Sequence, residues 1–233
     1  VFLRSQALIA LDDAHVNAGV LKKGTGTLDI EVKVSVPTGA MLQRGWMVRA
    51  QLETMSGKKV GPPRSSEVAW FDMPYVFEGH VAKFRKWNVD DIELWSAENP
   101  QRYRVVLELI DPNDEVTEVV SVVTGFRTVR ISGNSLLING KKVMIRGVNR
   151  HDHHPVKGKA VDVNDMRADL VLMKKHNVNA VRCSHYPNDS RLLDLCDELG
   201  LYVVDEANAE SHAWNTSLCH DSRYRETWIS RIS

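Results

Sequence analysis

Apolar and polar residues alternate through the first half of the chain. Leu28, Ile30, Val32, Val34 and Val36 are separated by Asp29, Glu31, Lys33 and Ser35, so an extended backbone sends one face to a core and the other to water. Val48, Ala50 and Leu52 repeat the pattern against Arg49, Gln51 and Glu53. Tyr103 to Ile110 and Val116 to Val123 flank Asp111-Pro112-Asn113-Asp114, which predicts a hairpin closed by a proline-containing turn. Several short strands with no helical period between them predict an antiparallel sandwich up to about residue 130.

Beyond a Gly133-Asn134 turn and a short Leu136 to Asn139 stretch the pattern changes. Continuous apolar runs, Val143-Met144-Ile145, Ala180-Val181 and Leu201-Tyr202-Val203-Val204, read as strands buried on both faces. Between the first two, Met166, Leu170 and Met173 fall at i, i+4 and i+7 and predict a helix over Val163 to Asn177, with Asp162 or Asn164 as N-cap. Between the second and third, Leu192, Cys196 and Leu199 predict a helix over Ser190 to Leu199, started by Asp189 and stopped by Gly200. A third helix is expected from about Arg223. Strand, helix, strand, helix, strand fits an open doubly wound sheet or a closed (β/α)₈ barrel, and no glycine-rich phosphate loop follows any strand. About ninety residues hold roughly three of a barrel's eight strands, so a barrel here is incomplete.

Composition narrows the partners. Lys+Arg and Asp+Glu balance at 30 each, so no net field draws the chain to nucleic acid or an anionic membrane. No run approaches the roughly 18 apolar residues of a membrane span, and Val1-Phe-Leu-Arg-Ser has no signal-peptide anatomy. Cys183, Cys196 and Cys219 fit neither a zinc module nor a disulfide framework, which favours a reducing, cytoplasmic compartment and small buried thiols.

Each buried run ends in chemically capable residues: Asn149-Arg150-His151-Asp152-His153-His154, Arg182-Cys183-Ser184-His185, and Asp205-Glu206-Ala207-Asn208-Ala209-Glu210-Ser211-His212. In a (β/α)₈ barrel the C-terminal strand ends form the active face, so His151, His185, Glu210 and His212 are expected around one mouth. His153 and His154 read as surface loop residues. Glu210-x-His212 is a spacing that can hold a divalent ion, but two ligands are too few for a tight site and do not name the metal. Arg182, mid-strand, is costly to bury without a carboxylate partner, and a structural salt bridge explains it as readily as an active-site clamp.

The sequence resembles glycoside hydrolase family 2, and within it the bacterial β-galactosidase type. The resemblance is carried by Asn179-Ala-Val-Arg-Cys-Ser-His-Tyr-Pro187 with Leu192-Leu193, Asp197 and Gly200-Leu-Tyr-Val-Val204, and by Arg146-Gly-Val-Asn-Arg-His-Asp-His-His-Pro155 and Asp205 to His212. Leu94-Trp-Ser-Ala-Glu-Asn-Pro100 and Gly125-Phe-Arg127 resemble the end of the immunoglobulin-like domain that precedes the family's barrel. The resemblance implies an immunoglobulin-like β-sandwich over 1–129, with 1–14 a linker from a missing N-terminal domain. It implies that 130–233 form the N-terminal part of a (β/α)₈ TIM barrel, truncated after three strands. Asp152 stands where a glutamate is common, and Ala213-Trp214 replaces a more usual glycine-containing stretch.

By the same resemblance, Glu210 and His212 would bind an active-site Mg²⁺, with Mn²⁺ as an alternative. His151 and His185 would contact sugar hydroxyls and favour the transition state, and Arg182 would steady the nucleophilic carboxylate. The implied reaction is retaining hydrolysis of terminal β-D-galactosides such as lactose, which needs two glutamates roughly 5 Å apart. Glu206 and Glu210, four residues apart on extended chain, would be separated by roughly 13 Å, so neither the acid/base nor the nucleophile is expected in this chain. The remainder of a parent chain and the sugar are therefore the expected partners, and the resembled group includes homo-oligomers. A β-glucuronidase, a β-mannosidase, or a non-catalytic carbohydrate-binding or scaffold module are the alternatives.

Overall fold

The four alternating segments fold as antiparallel strands, and four further strands join them. In the computed structural model, which describes residues 5–37, 42–73 and 76–231, these are β1 (Ala10–Lys22), β2 (Thr25–Ser35), β3 (Met47–Thr54), β4 (Arg64–Glu67), β5 (Ala69–Met73), β6 (Val76–Asp90), β7 (Tyr103–Ile110) and β8 (Val116–Thr124). They form two sheets, in the orders β1-β2-β6-β5 and β4-β3-β7-β8. The inward residues meet in one core: Leu28, Ile30 and Val32 of β2, Val48, Ala50 and Leu52 of β3, Phe84 and Trp87 of β6, and Val105, Leu107 and Leu109 of β7. Each such aliphatic side chain contributes up to about 1.5–3 kcal/mol relative to an exposed one. Gly26 is required by packing: a Cβ there would lie 2.5 Å from the ring of fully buried Phe126.

β1 begins inside the stretch 1–14 read as a linker, of which residues 1–4 lie outside the described residues. Beyond Leu11, Ala14, Val16, Ala18 and Val20 alternate with His15, Asn17 and Gly19 and pack against the core, a stripe of mostly small apolar residues that sequence reasoning passed over. β1 is held as an edge strand by backbone pairing, with Ala10 opposite Ser35 and Val16 opposite Ile30.

The chain divides into two compact units. One comprises residues up to Trp95 with Gln101–Ile131 and Leu137–Gly140, and the other Ser96–Pro100, Ser132–Leu136 and Lys141 onward. Between the sandwich strands and the α/β segment run three short strands, β9 (Val129–Ser132), β10 (Ser135–Ile138) and β11 (Lys141–Lys142).

The second unit is β12 (Gly147–Arg150), α1 (Val163–Lys175), β13 (Ala180–Cys183), α2 (Ser190–Leu199) and β14 (Tyr202–Val204), followed by short 3₁₀ turns and α3 (Arg225–Ser230). The three strands are parallel, in the order β12-β13-β14. α1 starts at a capping box in which the Asp162 and Asp165 side chains each accept from the other's backbone N–H. Asp189 caps α2, and Gly200 ends it in the left-handed region at φ 75°. Val181, Cys183 and Val203 pack on Met166, Leu170, Leu192, Leu195 and Cys196 of the helices.

The first parallel strand is not Val143-Met144-Ile145, as the apolar run predicts, but Gly147–Arg150. Met144 and Ile145 are exposed. The reason lies in Asn179, whose side-chain oxygen accepts from the Arg146 N–H at 2.8 Å while its amide donates to the Met144 carbonyl at 2.9 Å. These bonds occupy backbone groups that strand pairing would otherwise use, and regular pairing starts with Gly147 opposite Ala180.

Candidate active site

Parallel register aligns the three strand ends. Asn149 lies opposite Arg182 and Arg182 opposite Val204, so the residues that follow each strand emerge along one edge of the sheet. Because alternate residues face opposite sides, Val181, Cys183 and Val203 go to the helices while Asn149, Arg182 and Val204 take the other face, where Val204 is half exposed.

Arg182 finds its carboxylate within the chain. Its Nε donates to Glu206 Oε1, and its Nη1 lies 3.4 Å from Asn149 Oδ1. Glu206 Oε2 is 3.1 Å from His185 Nδ1, and Arg182 Nη2 is 3.2 Å from the same Nδ1. Partial burial pushes the Glu206 carboxyl up, but the hydrogen bonds from Arg182 and His185 together with the Arg182 charge outweigh it and hold the group below its ordinary value. The His185 ring stands edge-on to His151 with centroids 5.5 Å apart, and His151 is 6.1 Å from the Tyr186 ring. The Ser184–His185 peptide bond is cis. Three of the residues singled out in the sequence, His151, His185 and Arg182, therefore meet at the ends of β12 and β13, and Glu206 from the segment after β14 joins them.

A second polar cluster lies behind the first. Arg150 is 5% exposed, and its guanidinium donates to Asp169 at 3.0 Å, Asp152 at 2.6 Å and Asn188 at 3.1 Å. Burial works against the Arg150 charge, but the hydrogen bonds and charges of Asp152 and Asp169 exceed it, and the cation is favoured. The Tyr186 hydroxyl accepts from the Asp152 backbone N–H at 2.9 Å, which ties the loop after β12 to the loop after β13. His154 is used structurally: its Nδ1 accepts from the N–H groups of Val156 and Lys157, both at 3.1 Å.

Glu210 and His212 are neighbours in an open pocket of about 480 Å³ that they line with Ser211 and Asn215. Glu210 Oε1 accepts from the His212 backbone N–H at 3.0 Å and lies 3.8 Å from its Nδ1, and the His212 side chain is 96% exposed. Among the described residues no third His, Cys, Asp or Glu joins them in a metal-holding group. Two donors, one of them an imidazole, fall short of the six oxygen-rich positions of Mg²⁺. No hydrogen bond among the described residues links the pair to Arg182, His185 or Glu206.

Two of the thiols, Cys183 and Cys196, are buried and disfavoured as thiolates. Burial pushes Cys183 up to about 11 and Cys196 up to about 12. Cys219, expected to be buried with them, is exposed.

Sequence reasoning passed over Glu206, Tyr186 and Asn149 as members of this cluster. The parallel register could have found Asn149, since it sits opposite Arg182. The requirement that Arg182 have a carboxylate partner pointed towards the segment after β14 but did not choose among its acids.

A three-stranded parallel sheet with polar groups gathered at its C-terminal edge thus follows an antiparallel sandwich in the chain. Residues 9–127 match the model described as "Glycosyl hydrolases family 2", and residues 129–229 match "Glycosyl hydrolases family 2, TIM barrel domain". The chain belongs to glycosyl hydrolase family 2. It is 42% identical over 213 residues to a beta-galactosidase of Pectobacterium atrosepticum, a match covering 89% of this chain and 20% of that protein. It is 56% identical over 142 residues to a beta-galactosidase of Yersinia enterocolitica, covering 60% of this chain and 14% of that one. Among solved structures it resembles Bacteroides uniformis beta-glucuronidase 3, with a TM-score of 0.69 at 26% identity over 85% of this chain and 23% of the other. The chain thus spans a fifth or less of the length of these curated relatives.

Proposed function

We propose that these residues are a segment of a retaining β-galactosidase, comprising an immunoglobulin-like sandwich and the first three strands of the catalytic barrel. The observation that carries this reading is the convergence of His151, His185, Arg182 and Glu206 at the C-terminal strand ends, in a chain 42–56% identical to proteins named beta-galactosidase. Imidazoles and a guanidinium at a barrel mouth are suited to hydrogen-bonding sugar hydroxyls and to steadying negative charge. The substrate is a terminal β-D-galactoside, and the acid/base and nucleophile glutamates of the retaining reaction come from outside residues 1–233. Glu210 and His212 contribute two ligands to a divalent ion, Mg²⁺ or Mn²⁺, whose remaining ligands also lie elsewhere.

The β-glucuronidase reading has its own support in the similarity to the Bacteroides uniformis structure. The higher identity to beta-galactosidases favours the galactoside. Kinetics of a protein of the relatives' length carrying this segment test the assignment of the histidines. His151→Ala or His185→Ala should lower kcat more than it raises KM, because contacts that strengthen in the transition state act on the chemical step. Unchanged kinetics in both would remove the histidines from the substrate site.

A further inference from the structure

We infer that Glu206 is a positioning residue that fixes the tautomer of His185, so that His185 Nε2 faces the sugar as a hydrogen-bond acceptor. The inference rests on the reading of His185 as a substrate contact. It concerns which of the ring's nitrogens carries the proton and which group decides it.

His185 Nδ1 has two neighbours at hydrogen-bond distance, and their demands conflict. Glu206 Oε2 at 3.1 Å can only accept, whereas Arg182 Nη2 at 3.2 Å can only donate. A single nitrogen of a neutral ring satisfies one of them. If Nδ1 were unprotonated, a carboxylate oxygen would sit against its lone pair with no hydrogen between them. With Nδ1 protonated, the ring makes a charge-assisted bond to Glu206, the stronger of the two choices. Arg182 then keeps its own bond to the same carboxylate through Nε. Guanidinium and imidazole thus share one acceptor, and neither needs the other.

The proton count follows. A neutral ring with hydrogen on Nδ1 carries a lone pair on Nε2, and no hydrogen bond to Nε2 is made among the described residues. That nitrogen can accept a hydroxyl hydrogen. The side chains around the ring are His151 and Tyr186 as well as Arg182 and Glu206, and of these only Glu206 presents a carboxylate to it. The second carboxylate cluster, Asp152 and Asp169, is engaged with Arg150.

Substitution by glutamine turns this into a test. In Glu206→Gln the Arg182 Nε–H still needs an acceptor, so the amide oxygen takes the position of Oε1. The amide nitrogen is then left at the position of Oε2, against His185 Nδ1. An NH₂ group donates, so the ring must accept at Nδ1 and carry its hydrogen on Nε2. One nearly isosteric change therefore moves the proton across the ring. Glu206→Asp keeps the carboxylate and should keep the original tautomer.

Nitrogen-15 NMR of ring-labelled histidine, with His185 assigned by its absence in His185→Gln, reads the tautomer directly in the 233-residue chain at mildly alkaline pH. The expected result is hydrogen on Nδ1 in the natural chain and in Glu206→Asp, and on Nε2 in Glu206→Gln. The same tautomer in the natural chain and Glu206→Gln, hydrogen on Nε2 in the natural chain, or a doubly protonated ring would overturn the inference. In the longer protein, Glu206→Gln should lower kcat/KM on a nitrophenyl galactoside by roughly 10- to 100-fold, by analogy with the outer partners of metal-bound imidazoles, while Glu206→Asp recovers most of it. If His185→Ala leaves kinetics unchanged, the substrate reading fails while the tautomer result still decides the role of Glu206. If His185→Ala is slow and Glu206→Gln is not, the positioning role is wrong.

Discussion

Gly200→Ala should damage the site unit more than its small size suggests. Gly200 closes α2 and launches β14, the strand that leads to Glu206, with its N–H and that of Leu201 both bonded to the Cys196 carbonyl at 2.9 Å. Two costs add. The left-handed conformation at φ 75° costs a residue with a Cβ about 1–2 kcal/mol. The added Cβ would also lie 2.3 Å from the Ala97 carbonyl oxygen, where real contacts do not fall under 3.0 Å. That carbonyl cannot retreat freely, because Ala97 is 4% exposed and its oxygen accepts from Lys174 Nζ at 2.9 Å. Overpacking of this kind adds about 1–3 kcal/mol, for a total of about 3 kcal/mol. Gly158→Ala is the control, since Gly158 also has positive φ, 64°, but nothing lies within 4 Å of its added Cβ. It should cost only about 1 kcal/mol. Urea unfolding read by amide exchange in α2 separates this unit from the sandwich. Equal losses in the two variants, within about 0.5 kcal/mol, would show that the Ala97 contact does not constrain the turn.

Gly26→Ala should destabilise the sandwich through the Phe126 ring, and Phe126→Leu should relieve most of the added loss; additive effects in tryptophan-detected urea unfolding would contradict the clash. The N-terminal turn of α1 should loosen in acid. The Lys157 hydrogen bond and the Asp165 and Asn164 N–H groups hold the Asp162 carboxyl at about 2 against an ordinary 3.8. Its folded value is depressed, so its contribution is present above about 4 and is lost as pH falls towards 2; amide exchange at Asn164 and Asp165 that does not change across that window, after correction for intrinsic rates, would refute it. Calorimetric titration of the 233-residue chain with Mg²⁺ and Mn²⁺ should show weak binding only. Micromolar or tighter Mg²⁺ binding abolished by Glu210→Gln would mean that the pair already forms a complete site.

Strands β2, β3, β7 and β8 and both long helices were legible because their residues repeat at one period, and the helix ends carry chemistry that works locally. Asp162, Asp189 and Gly200 each act on neighbours two to four residues away, and such signals survive in sequence. β1 was passed over although Ala14, Val16, Ala18 and Val20 alternate and pack on the core, because these mostly small side chains make a weaker stripe than the Leu, Ile and Val of β2. The start of β12 was misplaced by four residues for a different reason. Asn179, more than thirty residues later in the chain, takes the backbone groups of Met144 and Arg146, and apolar periodicity does not register such a bond. In the site, the strand-end histidines and Arg182 stood out as polar residues at the ends of apolar runs. Glu206 did not, because Asp205, Glu206 and Glu210 are equally plausible partners until three-dimensional register selects one.

The most direct test of the galactosidase reading is the ratio of kcat/KM for nitrophenyl β-D-galactoside to that for nitrophenyl β-D-glucuronide, measured on a protein of the relatives' length that carries residues 1–233. On the galactosidase reading the galactoside should be favoured by at least about 100-fold. The glucuronide turned over equally well or better, or neither substrate hydrolysed, would contradict it.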